Sequence, residues 1–282
     1  MSTRNPMQLK AFIKKEAQGK NISAQIVMQN YMMERLLERI SISSYKRNFI
    51  LKGGFLIAAI VGLDTRATMD LDATVKGFPL THEVIRKIFE EVCAIHVEDD
   101  IHFTVTRTTN IREGNEYHGL RVNMTANYPP LAVPLTVDIT TGDKITPREI
   151  EYSFSLMFDD RSISILAYNI ETILAEKLET ILSRNIANTR PRDFYDVYIL
   201  YALCDADIDM TVLRQAFNET VNKRGSRAVM GQYGNIIESI RENPQMCEFW
   251  ARYQKDFDYA KDITFDDTCD TILLMMNKIA ER

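Results

Sequence analysis

The chain is poor in the residues on which specialised architectures depend. Its 282 residues hold four cysteines, one tryptophan, 11 glycines and 8 prolines. Cys93, Cys204, Cys247 and Cys269 lie far apart and form no C-x-x-C, and only Cys93 has a histidine, His96, close by. This excludes a zinc framework and the dense cross-linking of a small secreted domain. His82, His96, His102 and His118 form no H-E-x-x-H, so no metal is assigned to them. Sparse glycine and proline exclude collagenous and low-complexity classes. The longest apolar runs, Phe55–Val61 and Val197–Cys204, fall far below the ~20 residues of a membrane helix. The first ten residues are too polar for a signal peptide, and the expectation is a cytoplasmic protein with no membrane partner. Positive charge is also in deficit. A net charge of −5 excludes a protein that coats nucleic acid through bulk charge, though not one with a local basic groove.

What is present is an ordinary globular balance, 45% hydrophobic and 26% charged, enough to bury a core without a staple. The first 50 residues carry apolar positions mostly at helical spacing, Leu9, Phe12 and Ile13, then Ile26 through Ile40. Phe55–Val61 is apolar all round, as in a helix buried against a sheet. Alternating or β-branched stretches follow at Leu71–Val75, Ile101–Thr108, Gly119–Thr125, Leu135–Thr140, Tyr152–Phe158 and Ser162–Ala167. Thr81–Ile95 reads as an amphipathic helix, and Asp159–Arg161 as the turn of a hairpin. From Asn169 the pattern is helical again, broken at Thr189–Pro191, Asp205–Asp209 and Glu242–Pro244. The expected architecture is α+β, with N-terminal helices, a core of about five strands and a C-terminal helical lobe. The expected domains are residues 1–168 and 169–282. Strands do not alternate regularly with helices, which argues against a doubly wound sheet.

The segment from Leu51 to Thr74 carries the chemistry. Gly53 and Gly54 precede a helix, where exposed backbone N–H groups and the helix dipole suit a phosphate. Asp70 and Asp72 lie two apart on a strand and present their carboxylates to one face. Paired carboxylates repel, and hard oxygen ligands of this kind suit Mg²⁺. Asp138, on the stretch Leu135–Thr140, is a third acid, opposite in orientation to Val137 and Ile139. Asp143, beside Gly142, reads as a turn residue.

In the helical lobe, Asn169 is a fair N-cap, and Ile170, Ile173, Leu174, Leu178, Ile181 and Leu182 form an apolar stripe. Lys177 falls inside that stripe and Arg184 at its edge. Lys177 therefore either snorkels to water or serves a site, with Arg184, Arg190 and Arg192 as further cations. Asp193 reads as the N-cap of a helix over Asp193–Leu203, with Asp196 in its first turn. Tyr195 and Tyr198 are better read as core than as base-stacking residues, and Lys223–Arg227 as an exposed basic loop.

The combination of Lys52-Gly53-Gly54, Arg66-Ala-Thr-Met-Asp70-Leu-Asp72, Lys177 and Arg190-Pro-Arg192-Asp193-Phe-Tyr-Asp196 resembles the nucleotidyltransferase toxins of the AbiE abortive-infection systems. That branch sits within the DNA polymerase β-like nucleotidyltransferase superfamily, and the resemblance spans about residues 48–201. It implies a polymerase β-like core with a mixed sheet and an NTP as substrate, with Mg²⁺ or Mn²⁺ as cofactor. It also implies a hydroxyl acceptor such as a tRNA 3′ end, GTP as one candidate donor, and a cognate antitoxin that need not touch the toxin. Asp70, Asp72 and Asp138 would bind the metals. Gly53, Gly54, Lys177, Arg184, Arg190, Arg192 and Asp193 would bind the nucleotide, and Lys177 and Asp196 would join the catalytic set. Asp196 is expected to orient Lys177 or an arginine rather than to hold metal. The superfamily usually has Gly-Ser where this chain has Gly53-Gly54, which removes a hydroxyl from the phosphate site. The rival expectations are the same chemistry on a small molecule or a protein, or an NTP-binding module without turnover.

Overall fold

The computed structural model describes residues 5–111 and 119–281, and His118 lies outside them. The chain divides into two compact units. The first comprises the residues up to Asp143 together with Ile150–Ala167, and the second Lys144–Glu149 together with the residues from Tyr168 onward.

The first unit is built on a mixed sheet in the order β3-β4-β5-β2-β1-β7-β6. Its strands are β1 (Phe49–Lys52), β2 (Leu71–Val75), β3 (His102–Asn110), β4 (Leu120–Tyr128), β5 (Leu131–Thr141), β6 (Ile150–Ser155) and β7 (Ser162–Ala167). Its helices are α1 (Pro6–Gly19), α2 (Ala24–Ile42), α3 (Gly53–Val61) and α4 (His82–Cys93). Seven strands replace the expected five or so. β1 has only four residues before Gly53 and Gly54 open α3, too few to show a strand alternation of their own. β1 pairs in parallel with β7, and this brings the β6–β7 hairpin into the same sheet. β6 also begins two residues earlier than expected and ends at Ser155.

Strand alternation sets the two faces of the sheet. Leu135, Val137 and Ile139 of β5 are buried, and α2 packs on β5 and β7 with Val27, Met32, Met33 and Leu36 fully or almost fully buried. Burial of each such side chain contributes about 1.5–3 kcal/mol. Thr136, Asp138 and Thr140 occupy the alternate positions. α4 starts at an N-cap, Thr81, whose hydroxyl accepts from the Val84 amide at 3.2 Å. A buried charge network, absent from the sequence reading, ties α2 into the unit. Arg35 pairs with Glu34 and Glu38, each at 2.6 Å, and Arg39 holds Asp99 through two 2.8 Å hydrogen bonds. The Met157 amide donates to Glu34, yet burial pushes that carboxyl up to about 7 despite Arg35 beside it.

The second unit contains α5 (Ile170–Arg184), α6 (Pro191–Cys204), α7 (Met210–Arg224), α8 (Arg227–Met230), α9 (Tyr233–Arg241), α10 (Pro244–Asp256) and α11 (Phe265–Ala280). Asn169 holds the N-cap position of α5, but its side chain serves the Thr146 carbonyl and the Thr172 hydroxyl instead of the helix backbone. α6 begins at Pro191, which suits the first helical position, so Asp193 stands in the first turn and is not the N-cap. Tyr195 is fully buried against Tyr253 and Tyr259 and is a core residue. The expected basic loop is mostly helical, with Lys223 and Arg224 in the last turn of α7 and Arg227 opening α8, and Arg224 pairs with Glu176 and Glu179. Among the described residues no helix is long and apolar enough to cross a membrane.

Candidate active site

The first group of site residues lies on the alternate face of the sheet. β1 and β2 are antiparallel with Lys52 opposite Asp72, and β2 and β5 are parallel with Asp72 beside Asp138. β4 and β5 are antiparallel with Arg121 opposite Asp138. Four adjacent strands therefore place Arg121, Asp138, Asp72 and Lys52 in one row, in the charge order plus, minus, minus, plus. Side chains at paired positions share a face, so the two carboxylates are neighbours, with a cation at either end.

Each end cation has defined partners. Arg121 donates from Nε and Nη2 to the two oxygens of Asp138 at 2.8 and 2.7 Å, a bidentate pair. That hydrogen-bonded carboxylate holds the guanidinium above its ordinary pKa, and the charges of Asp138, Asp70 and Asp72 push the same way. All three acids thus act on one cation. Lys52 donates to the Thr140 hydroxyl at 2.7 Å and to Asp143, and Thr140 donates to Asp143 at 2.8 Å. Asp143 follows the positive-φ residue Gly142, in keeping with a turn, and also anchors the lysine before the two glycines.

Gly53 and Gly54 open α3 directly after β1. Gly53 has φ +67, and a Cβ there would fall 2.2 Å from an Asp72 carboxylate oxygen, so only glycine fits. A Cβ on Gly54 would stand 3.0 Å from both the Arg66 guanidinium and the Thr68 hydroxyl. The space that a serine would fill in the superfamily pattern is taken by side chains of the loop before Asp70. That loop is held in place. Arg66 is buried and donates to the Ala67 carbonyl, and Asn30 of α2 donates to the Thr68 carbonyl at 2.7 Å.

Asp70 is exposed and stands one residue before β2, so of the expected strand pair only Asp72 lies on the strand, and Asp72 and Asp138 are half-buried. The donor set of hard carboxylate oxygens fits a divalent cation such as Mg²⁺. Among the described residues, however, no three carboxylate, histidine or cysteine side chains are gathered around a common point in this arrangement. Both oxygens of Asp138 are turned to Arg121. The chemistry and strand register of these residues fit a divalent cation, and in this arrangement Asp138 is paired with Arg121.

The second group belongs to the second unit. Lys177 of α5 donates to Asp193 and to Asp196 of α6, both at 2.7 Å, and the two acids are 1% and 0% exposed. Arg190 approaches Asp193 at 3.3 Å. The lysine head is fixed by carboxylates rather than left to snorkel. Arg184 is half-buried and Arg192 exposed. Burial pushes the Cys93 and Cys269 thiols up to about 11 and about 12, which leaves both protonated and poor nucleophiles at neutral pH.

Asp70, Asp72, Asp138, Gly53 and Gly54 lie in one unit and Lys177, Asp193 and Asp196 in the other; Lys52 stands in the expected motif without a site role, and Arg121 is a site residue the sequence does not single out. The alternation of buried Leu120, Val122 and Met124 puts Arg121 on the opposite face, a legible signal. Its register with Asp138 is set by pairing between strands and carries no local signature.

A protein-family profile described as nucleotidyl transferase AbiEii toxin, type IV TA system, matches residues 35–271. Among curated proteins no sequence matches. Two solved structures are similar. A Helicobacter pylori protein assigned as a nucleotidyltransferase aligns with TM-score 0.53 at 12% identity, over 92% of this chain and 96% of its own. JHP933 from Helicobacter pylori aligns with TM-score 0.52 at 12% identity, over 91% and 92% of the two chains. At that identity the likeness concerns the fold.

Proposed function

The chain belongs to the AbiEii family of nucleotidyltransferase toxins, and from that premise we propose that it transfers a nucleotide from an NTP to a hydroxyl of an RNA acceptor, such as a tRNA 3′ end, in a Mg²⁺-dependent reaction. The observation that carries this reading is the pairing of Asp72 with Asp138 across β2 and β5, with Gly53 seated on the Asp72 carboxylate. Adjacent strand acids of this kind gain from a cation between them.

Asp70, Asp72 and Asp138 would hold the metal. When bound, it would supply charge neutralisation on the polyphosphate and acidification of the acceptor hydroxyl. Gly53 and Gly54, at the start of α3, would bind phosphate oxygens through backbone N–H groups, aided by the positive end of that helix. Asp138 would take the proton of the attacking hydroxyl once free of Arg121. Lys177, with Arg184, Arg190 and Arg192, would balance charge on the pyrophosphate leaving group. Two buried carboxylates fix the Lys177 ammonium, so it acts from one position and loses little freedom when it meets an anion. Asp193 and Asp196 act through that lysine. Rate acceleration would then come from positioning and charge stabilisation, without a covalent enzyme intermediate.

The family implies an antitoxin partner, and we propose that the cognate antitoxin acts without needing to contact this chain. GTP is the donor we would try first. If RNA is the acceptor, basic side chains must supply a local groove against the net charge of −5, and activity should fall as salt rises. The test is transfer of label from each NTP in turn into total cellular RNA, with and without ribonuclease pretreatment. Label that appears only in intact RNA supports the reading, and transfer that survives ribonuclease moves the acceptor to a protein or small molecule.

A further inference from the structure

The row Arg121, Asp138, Asp72, Lys52 raises a question the family does not answer. The acid that the proposed reaction needs as ligand and base has both oxygens committed to a guanidinium. The two end cations differ in how tightly they are held. Lys52 is 14% exposed and is bonded to two side chains, Thr140 and Asp143, neither of them in the proposed metal set. Arg121 is 43% exposed, and its carboxylate partner is 16% exposed. An arginine at that exposure can swing into solvent, whereas Asp138 cannot leave the strand row and needs another cation in the place of Arg121.

We propose that Arg121 is the resident counter-ion of the carboxylate row, which a divalent cation must displace from Asp138 before it can bind. The inference rests on Asp138 being a metal ligand. It explains why the acids are paired in register yet not gathered around a point among the described residues. Two neighbouring carboxylates on adjacent strands repel one another when no cation is present, and a guanidinium that covers one of them relieves the repulsion. The cost of this arrangement is competition. Every metal-binding event must break a bidentate, charge-assisted pair, so Arg121 lowers affinity for free metal and keeps the site closed at low metal concentration. The opposite role is also physically possible, with Arg121 orienting Asp138 so that a ligating oxygen is presented correctly. The two roles predict opposite signs.

The experiment is Mn²⁺ binding to the full chain, read from the free-ion electron paramagnetic resonance signal. The proteins are the unaltered protein, Arg121→Gln, Arg121→Lys, Asp138→Asn and the double variant Arg121→Gln/Asp138→Asn. Competition predicts that Arg121→Gln binds Mn²⁺ about tenfold more tightly, the size of a lost hydrogen-bonded charge partner. It also predicts that the gain disappears in the double variant. Lysine keeps the charge but not the fork, so Arg121→Lys should fall between the two, and it carries the test if the glutamine variant does not fold. Unchanged or weaker binding in these variants, alongside binding that Asp138→Asn reduces, overturns the proposal and leaves Asp138 a metal ligand. Binding that is indifferent to Asp138→Asn, or absent throughout, removes Asp138 from the metal set and overturns the proposal with it.

Discussion

Gly53→Ala distinguishes backbone strain from displacement of the Asp72 carboxylate, proposed above as a metal ligand, because the chain offers a matched control. Gly53 has φ +67 and Gly142 has φ +74, so alanine at either position carries the left-handed cost of about 1–2 kcal/mol. At Gly142 a Cβ meets nothing within 4 Å. At Gly53 it would lie 2.2 Å from Asp72 Oδ2, where ordinary contact begins at 3.4 Å. The Asp72 carboxylate, or the β1–α3 junction, must therefore move by about 1 Å, and a misplacement of that size costs on the order of 100-fold in rate. Urea unfolding and nucleotide transfer would be measured on both variants. Gly142→Ala should lose about 1–2 kcal/mol of stability, with its activity near that of the unaltered protein. Gly53→Ala should lose at least as much stability and about 100-fold in rate. Equal rates for the two variants would show that the placement of Asp72 beside Gly53 does not matter to the reaction.

Two further outcomes follow from buried charge. Lys177→Met leaves Asp193 and Asp196 without their shared ammonium at 1% and 0% exposure, and should cost about 3–5 kcal/mol in denaturant unfolding. Addition of Asp196→Asn should recover part of that loss, and a cost below about 1 kcal/mol would mean the pair is far better solvated than its burial indicates. Glu34 supplies a pH dependence. Its folded-state pKa is raised from 4.5 to about 7, so the folded chain binds this proton more tightly than the unfolded chain. The benefit is complete below pH 4.5 and is lost as pH rises to about 7, a change of up to about 3 kcal/mol. Glu34→Gln should flatten that part of the stability profile, and an equally steep profile in the variant would assign the slope to other groups.

The parts of the fold and site legible in the sequence are those with local signatures. The helix over Thr81–Ile95 and the breaks near Pro191 and Pro244 depend on residues adjacent in the chain, and they stand within a few residues of their expected places. The i, i+2 spacing of Asp70 and Asp72 reads as a strand pair without knowledge of any partner strand, yet β2 begins at Leu71 and only Asp72 lies on it. Asp138 could be suspected but not placed, since its proximity to Asp72 depends on a parallel pairing between segments more than 60 residues apart. The partners of Arg121 and Lys52 carry no local signature for the same reason, as each acquires its place in the row from a register partner. β1 was lost to its brevity and to the apolar helix that follows it. Asp193 looked like a cap because an acid near a helix start usually is one, but Pro191 moved the start forward and left Asp193 facing Lys177.

We propose that the acids of β2 and β5 drive nucleotide transfer to RNA. Purified protein incubated with Mg²⁺, each labelled NTP in turn and total cellular RNA, with Asp72→Asn in parallel, tests it most directly. Label is expected in a tRNA-sized band that the Asp72→Asn variant does not produce. Label that persists in that variant at the unaltered rate, or NTP binding with no transfer to RNA, would contradict it.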